Sequence, residues 1–158
     1  LDEDIIDYIK KEMGLAIGET TAEEIKTEIG CALPLMTEMS MEIRGRDLTT
    51  GLPRNVVITS TQMEDAMKDS INEIIDIVKT TLEKTPPELA SDIVEKGIVL
   101  AGGGALIKNF DKLLSTATGM PVYVAENPLE CVAIGAGQAF ELFRDISSDR
   151  SIYDNLNN

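Results

Sequence analysis

The chain contains no histidine, which removes the usual general base of serine and cysteine hydrolases and the commonest transition-metal ligand. Its two cysteines, Cys31 and Cys131, are far apart and form no CxxC pair. Neither a disulfide framework nor a zinc site is indicated, and a reducing cytoplasm is the expected setting. Every apolar stretch is broken by Gly, Pro or charge well short of the roughly 20 residues a spanning helix needs, so membrane contact is expected to be peripheral or indirect. Basic residues are scarce: 14 against 28 acidic, a formal charge of -14. Such a surface repels phosphate backbones and anionic lipid, which argues against direct nucleic-acid binding.

What is present suits a folded α/β chain. With 158 residues, 43% of them hydrophobic, it can bury one core or two small lobes sharing an interface. The opening Leu1-Asp2-Glu3-Asp4 carries no initiator Met and no signal pattern, and reads as an internal boundary of a longer protein. Ile5, Ile6, Ile9 and Met13 recur at helical spacing before Gly14, predicting a helix over 2–13. Thr21 and Glu24 have capping-box spacing, predicting a short helix over 22–29. Alternation at Met39, Met41 and Ile43, and β-branched residues over 55–59, predict two strands. The Gly- and Pro-bearing connection from Gly45 to Pro53 makes them a long hairpin with a solvent-exposed tip. Thr61 and Glu64 then mark the start of a long helix whose core stripe is Met63, Met67, Ile71, Ile74, Ile75, Val78 and Leu82. Thr85-Pro86-Pro87-Glu88 marks a further start, with Thr85 as cap and Leu89 and Ile93 packing inward over about 86–94.

The most informative unit is Ile98-Val99-Leu100-Ala101, a buried-strand run, entering Gly102-Gly103-Gly104, followed by a helical stripe at Ala105, Leu106, Phe110, Leu113 and Leu114. Glycines there let another group approach the backbone, and free N–H groups at a helix start favour a polar or anionic ligand such as a nucleotide or phosphate ester. The unit is neither GxGxxG nor GxxxxGK[ST], and tight strand-to-helix packing explains it equally well. Val122-Tyr123-Val124 as a strand and a helix from Leu129 to Phe143 complete the lobe. Gly135 and Gly137 suggest close packing of that helix against another element.

Glu83-Lys84-Thr85-Pro86-Pro87-Glu88-Leu89 followed by Gly97 to Leu106, including Gly102-Gly103-Gly104-Ala105, resembles the adenosine motif of the MreB family of actin-like filament proteins. Three further segments agree in the same order: Ile17 to Lys26, Arg44 to Pro53, and Glu126 to Ala133. The resemblance implies an actin-like (ribonuclease H-like) ATPase fold, of which this chain is most of the second domain. Residues 2–62 would form a small outer lobe and 63–128 a nucleotide-floor lobe. Residues 129–144 would be a helix returning to the missing first domain, and 145–158 a polar, disordered tail. Adenine and ribose would lie between Glu23, Glu24, Ile25 and Lys26 on one side and Gly102, Gly103, Gly104 and Ala105 on the other. A carboxylate can accept ribose hydroxyls, the Lys stem can cover a base, and the glycine backbone allows close approach. Glu24 is claimed equally by the capping box with Thr21, and Lys26 by a solvated helix face.

The cofactor so implied is ATP, with Mg in the parent protein. The phosphate loops, the metal-binding Asp and the water-activating residue would precede Leu1, so no catalytic or metal residue is expected here and the chain alone should not turn ATP over. The resemblance further implies self-association into filaments beneath the inner membrane that organise wall synthesis in rod-shaped cells. It also implies a RodZ-like membrane partner, wall-elongation proteins, and membrane contact made indirectly or through the missing half. The alternative is half of a sugar or acetate kinase, or of an Hsp70-type ATPase domain, which the fold would serve equally. Residues 32–39 are more apolar than the family leads one to expect, which Met-rich core filling would explain.

Overall fold

Asp2, Glu3 and Asp4 in the first turn and Lys10 and Lys11 in the last both complement the helix dipole of α1 (Asp2–Met13). Ile5 and Ile9, one turn apart, are fully buried. Gly14, at φ 61°, closes the helix in the left-handed conformation. In this computed structural model the backbone is described for residues 1–155 and side-chain surroundings for residues 1–144.

A two-residue strand, β1 (Leu15–Ala16), too short to show periodicity in the sequence, follows α1 and leads into α2 (Glu19–Ile29). Helix α2 starts earlier than the Thr21–Glu24 spacing predicts: Gly18 is its N-cap, with no side-chain cap. Thr21 therefore lies inside the helix, and Glu24 is released from the capping role.

The hairpin is observed as β2 (Ser40–Asp47) and β3 (Pro53–Thr59), with β1 beside β2 in an antiparallel sheet of order β1-β2-β3. Ile43 and Ile58 turn into the core. Gly45 stays in the strand because a Cβ there would lie 2.5 Å from the Ala16 carbonyl oxygen. The tip is ordered by Asp47, whose carboxylate accepts the N–H groups of Thr49 and Thr50 at 2.8 and 2.9 Å and pairs with Arg54 Nε at 2.9 Å. These amides first, and Arg54 after them, hold the Asp47 carboxyl below its usual pKa.

Helix α3 (Ser60–Glu83) has its capping box at Thr59 and Gln62, two residues upstream of the expected Thr61 and Glu64. Its stripe Met63, Met67, Ile71 and Ile75 is buried as expected. Helix α4 (Pro87–Lys96) has Pro86, not Thr85, at its N-cap. The Thr85 hydroxyl instead donates to the Thr81 carbonyl, 2.7 Å away, at the end of α3. Leu89 is exposed rather than packed, and Ile93 is half-buried. In the 32–39 segment Met36 is fully exposed, so core filling does not explain it.

Strand β4 (Ile98–Leu100) pairs in parallel with β5 (Val122–Val124) across α5 (Phe110–Thr118). Buried residues from both expected lobes form one cluster: Ile5, Ile9, Ile25 and Ile58 meet Met63, Met67, Phe110 and Leu114. Full burial of an aliphatic side chain of this size stabilises by about 1.5–3 kcal/mol. The last helix, α6, runs Cys131–Asn155. It overruns the expected end at 144, because no Gly or Pro interrupts residues 138–155, so 145–155 is helix rather than a disordered tail. The remainder of that tail, 156–158, lies outside the described residues. Among the described residues no helix is long and apolar enough to cross a membrane.

Candidate functional site

The three glycines do not feed a long helix directly. They enter a 3₁₀ turn over Gly103–Leu106, and α5 begins only after Asn109, a left-handed residue at φ 60°. The cause lies in the intervening residues. Lys108 is drawn into a parallel bridge with Cys31: its N–H donates to the Gly30 carbonyl at 3.0 Å, and its carbonyl accepts the Ala32 N–H at 2.8 Å. The Lys108 ammonium donates to the Thr27 carbonyl at 3.3 Å and to that of Glu28. These are carbonyls of the last turn of α2, left without helical partners, at the negative end of its dipole. Lys108 thus clamps the glycine turn against α2.

Gly102, at φ 80° and ψ −179°, occupies backbone space that is essentially restricted to glycine. Its N–H donates to the Pro128 carbonyl at 2.6 Å, tying the exit of β4 to the segment before α6. Gly102 and Gly104 face open space, with nothing within 4 Å of where a Cβ would stand. Gly103 is different. Its Cβ position lies 3.6 Å from Lys26 Nζ, 3.7 Å from Glu23 Oε1 and 3.8 Å from Leu129 Cδ2. Segments separated by most of the chain therefore meet at one glycine, with a carboxylate and an ammonium beside it.

The expected residues divide by where their side chains go. Glu23 is exposed and stands at Gly103. Glu24 is also exposed, but it is Glu23 that the structure brings to the glycine turn. Ile25 is fully buried in the core, so its side chain is structural. Ala105 is buried beneath the turn. Lys26 overturns the solvated-face alternative: only 6% of it is exposed, and its Nζ lies 2.8 and 3.0 Å from the two carboxylate oxygens of Asp2. Asp2, Leu129 and Lys108 went unmarked by sequence reasoning, because no local spacing links them to the glycines.

Chemically, the open glycine backbone offers close approach to a flat group, Glu23 an acceptor for hydroxyls, and Lys26 a donor held in place. On the thiol side, burial and then the Glu64 charge push the Cys31 pKa up, against a weaker opposing effect of Lys108. Cys31 is therefore a structural thiol, its Sγ donating to the Ser60 carbonyl at 3.4 Å.

Comparison with known proteins bears on this arrangement. The family described as MreB/Mbl protein matches residues 1–148. The cell shape-determining protein MreB of Escherichia coli (strain K12) is 50% identical over 141 residues, covering 89% of this chain and 41% of that protein. The chain thus spans about two fifths of that relative's length. The crystal structure of MreB5 of Spiroplasma citri bound to ADP superimposes with a TM-score of 0.83 at 39% identity, covering 93% of this chain and 45% of that one. The MamK double helical filament, at 21% identity and a TM-score of 0.61 over 81% of this chain and 39% of that one, shares the fold.

Proposed function

This chain belongs to the MreB/Mbl family of cell shape-determining, actin-like proteins, and from that premise we propose that it is the adenosine-binding half of an ATP-binding cytoskeletal filament protein. The carrying observation is the meeting at Gly103 of Glu23 Oε1 and Lys26 Nζ. In this reading the adenine lies on the open backbone of Gly102, Gly103 and Gly104, and Glu23 accepts the ribose hydroxyls. Lys26 and Glu24 border the base, while Ile25 and Ala105 contribute backbone only. MreB5 of Spiroplasma citri, which shares this fold, is described as bound to ADP and to AMPPNP.

Phosphates and their metal would be held by the remainder of the protein. Among the described residues no group of three or more His, Cys, Asp or Glu is placed to hold a metal ion; in this reading hydrolysis would require the phosphate- and metal-holding remainder of the protein. Residues 2–62 and 63–128 act as an outer and a nucleotide-floor lobe joined through one core. Val132, Phe140, Leu142 and Phe143 on α6 and Leu129 before it are all more than half exposed. Such a concentration of large apolar side chains is uncommon on a solvent-facing surface. It supports docking of this helix onto the part of the protein that the chain does not cover.

Head-to-tail repetition of an open, heterologous contact would build the filament, lying beneath the inner membrane of the cell and guiding wall synthesis. A RodZ-like membrane protein and wall-elongation proteins would be its partners. The test mixes this chain with a separately expressed remainder of the protein and titrates ATP, following pelletable polymer and released phosphate. Nucleotide-dependent polymer is the expected result. Turnover of a sugar or of acetate without polymer would overturn the cytoskeletal reading.

A further inference from the structure

A buried ammonium is costly unless it is paired, and the partner of Lys26 is not a neighbour on α2 but Asp2, 24 positions earlier. Asp2 is the first residue of α1, where the positive end of the helix dipole favours a carboxylate. Both of its oxygens face Nζ, at 2.8 and 3.0 Å. Such a two-point contact fixes where the ammonium sits as well as neutralising it. An ammonium has three donors; Asp2 Oδ2 accepts one of them at 3.0 Å while Oδ1 pairs with the charge at 2.8 Å, so donor capacity remains for a group lying over Gly103.

The groove beside the pair adds negative charge, and no Lys or Arg is among the described residues that line it. It is lined by Asp2, Glu3, Ile6, Glu19, Thr20 and Glu23. With Lys26 already neutralised, this end of the site is electrically hostile to phosphate and suited to a neutral, hydroxyl-bearing group.

We propose that Asp2 is a positioning and specificity residue of the nucleoside site: it holds Lys26 beside Gly103 and cancels its charge, so that the sugar and base, rather than a phosphate, are accepted there. This rests on the adenosine reading given above. Asp2→Asn frees the Lys26 charge and loosens its position. A purely structural role would weaken all ligands alike, whereas the positioning role changes their ratio.

The experiment measures adenosine and ADP affinities of the full-length protein by calorimetry. Asp2→Asn is expected to weaken adenosine roughly tenfold and to shift the ADP-to-adenosine affinity ratio at least about threefold toward ADP. In a Lys26→Met background the same substitution is expected to shift that ratio less than about twofold, because no charge remains to free. Should Asp2→Asn fail to fold, the comparison of Lys26→Met with Lys26→Met/Asp2→Asn carries the test. A ratio shift of about threefold or more there overturns the proposal. An unchanged ratio in the single variant overturns it too, while ADP still binding the parent protein leaves the adenosine site standing. A parent protein that binds neither ligand overturns both.

Discussion

Gly102 and Gly103 are adjacent, yet the structure assigns them opposite sensitivities. Gly102 sits at φ 80°, ψ −179° with open space around it, so Gly102→Ala meets no clash but must adopt a backbone conformation costing about 1–3 kcal/mol for any residue with a Cβ. For a domain of this size each kcal/mol lowers the Tm by about 2–4 °C, which gives an expected loss of about 2–12 °C. Gly103 has no such backbone constraint. Its Cβ would meet Lys26 Nζ, Glu23 Oε1 and Leu129 Cδ2 at 3.6–3.8 Å, ordinary van der Waals contact, so Gly103→Ala should change stability by no more than about 0.5 kcal/mol. Gly103→Leu places three further carbons between the glycine turn and α2, in the volume assigned to the nucleoside. It should weaken ADP binding by at least tenfold, about 1.4 kcal/mol, with the fold retained. Thermal unfolding and calorimetric ADP titration of the full-length protein read both effects. A wild-type Tm for Gly102→Ala would refute the backbone argument. Wild-type ADP affinity for Gly103→Leu would refute the placement of the nucleoside.

The depressed pKa of Asp47 means that the ionised carboxylate is the form the folded hairpin prefers. Its stabilisation is present above the ordinary carboxylate range, about pH 4, and lost as the pH falls through the lowered folded value. Amide exchange at Thr49 and Thr50 should therefore accelerate on acidification, and Asp47→Asn should remove most of that pH dependence. Met67, fully buried at the centre of the α3 stripe, should cost about 2–5 kcal/mol on replacement by Ala, read by chemical denaturation. A smaller loss would mean that the core collapses around the gap. Cys31 should resist alkylation at pH 8 in the native protein while Cys131, only partly buried, reacts. Equal rates would show that the Cys31 environment opens readily.

What could be read from the sequence was local and periodic. The α1 stripe and the Met63–Ile75 stripe survive because a helix turns its apolar residues inward every three or four positions, whatever else the chain does. The boundaries were harder. Thr61 and Glu64 satisfy the capping pattern as well as Thr59 and Gln62 do, and the choice between them is made by where β3 ends, a tertiary fact. Thr21 and Glu24 fail for a similar reason: Gly18 leads out of the short strand β1, and the helix can begin at once. At the candidate site the glycine run and the acidic segment were nameable in sequence, but Asp2 and Lys108 were not. The pairings of Lys26 with Asp2 and of Lys108 with Thr27 cross 24 and 81 positions. No spacing rule reaches that far.

The Lys108 clamp has a kinetic corollary. Because it joins α2 to the glycine turn across 81 positions, the meeting of Glu23 and Lys26 with Gly103 does not exist until a long loop has closed, and contacts of that separation form late and slowly. Helices α1 and α3 can assemble from neighbouring residues beforehand. A nucleotide bound at Gly103 would be captured by the finished fold alone. It would draw the folding equilibrium toward completion by mass action, and its bound fraction during refolding would mark the moment of closure.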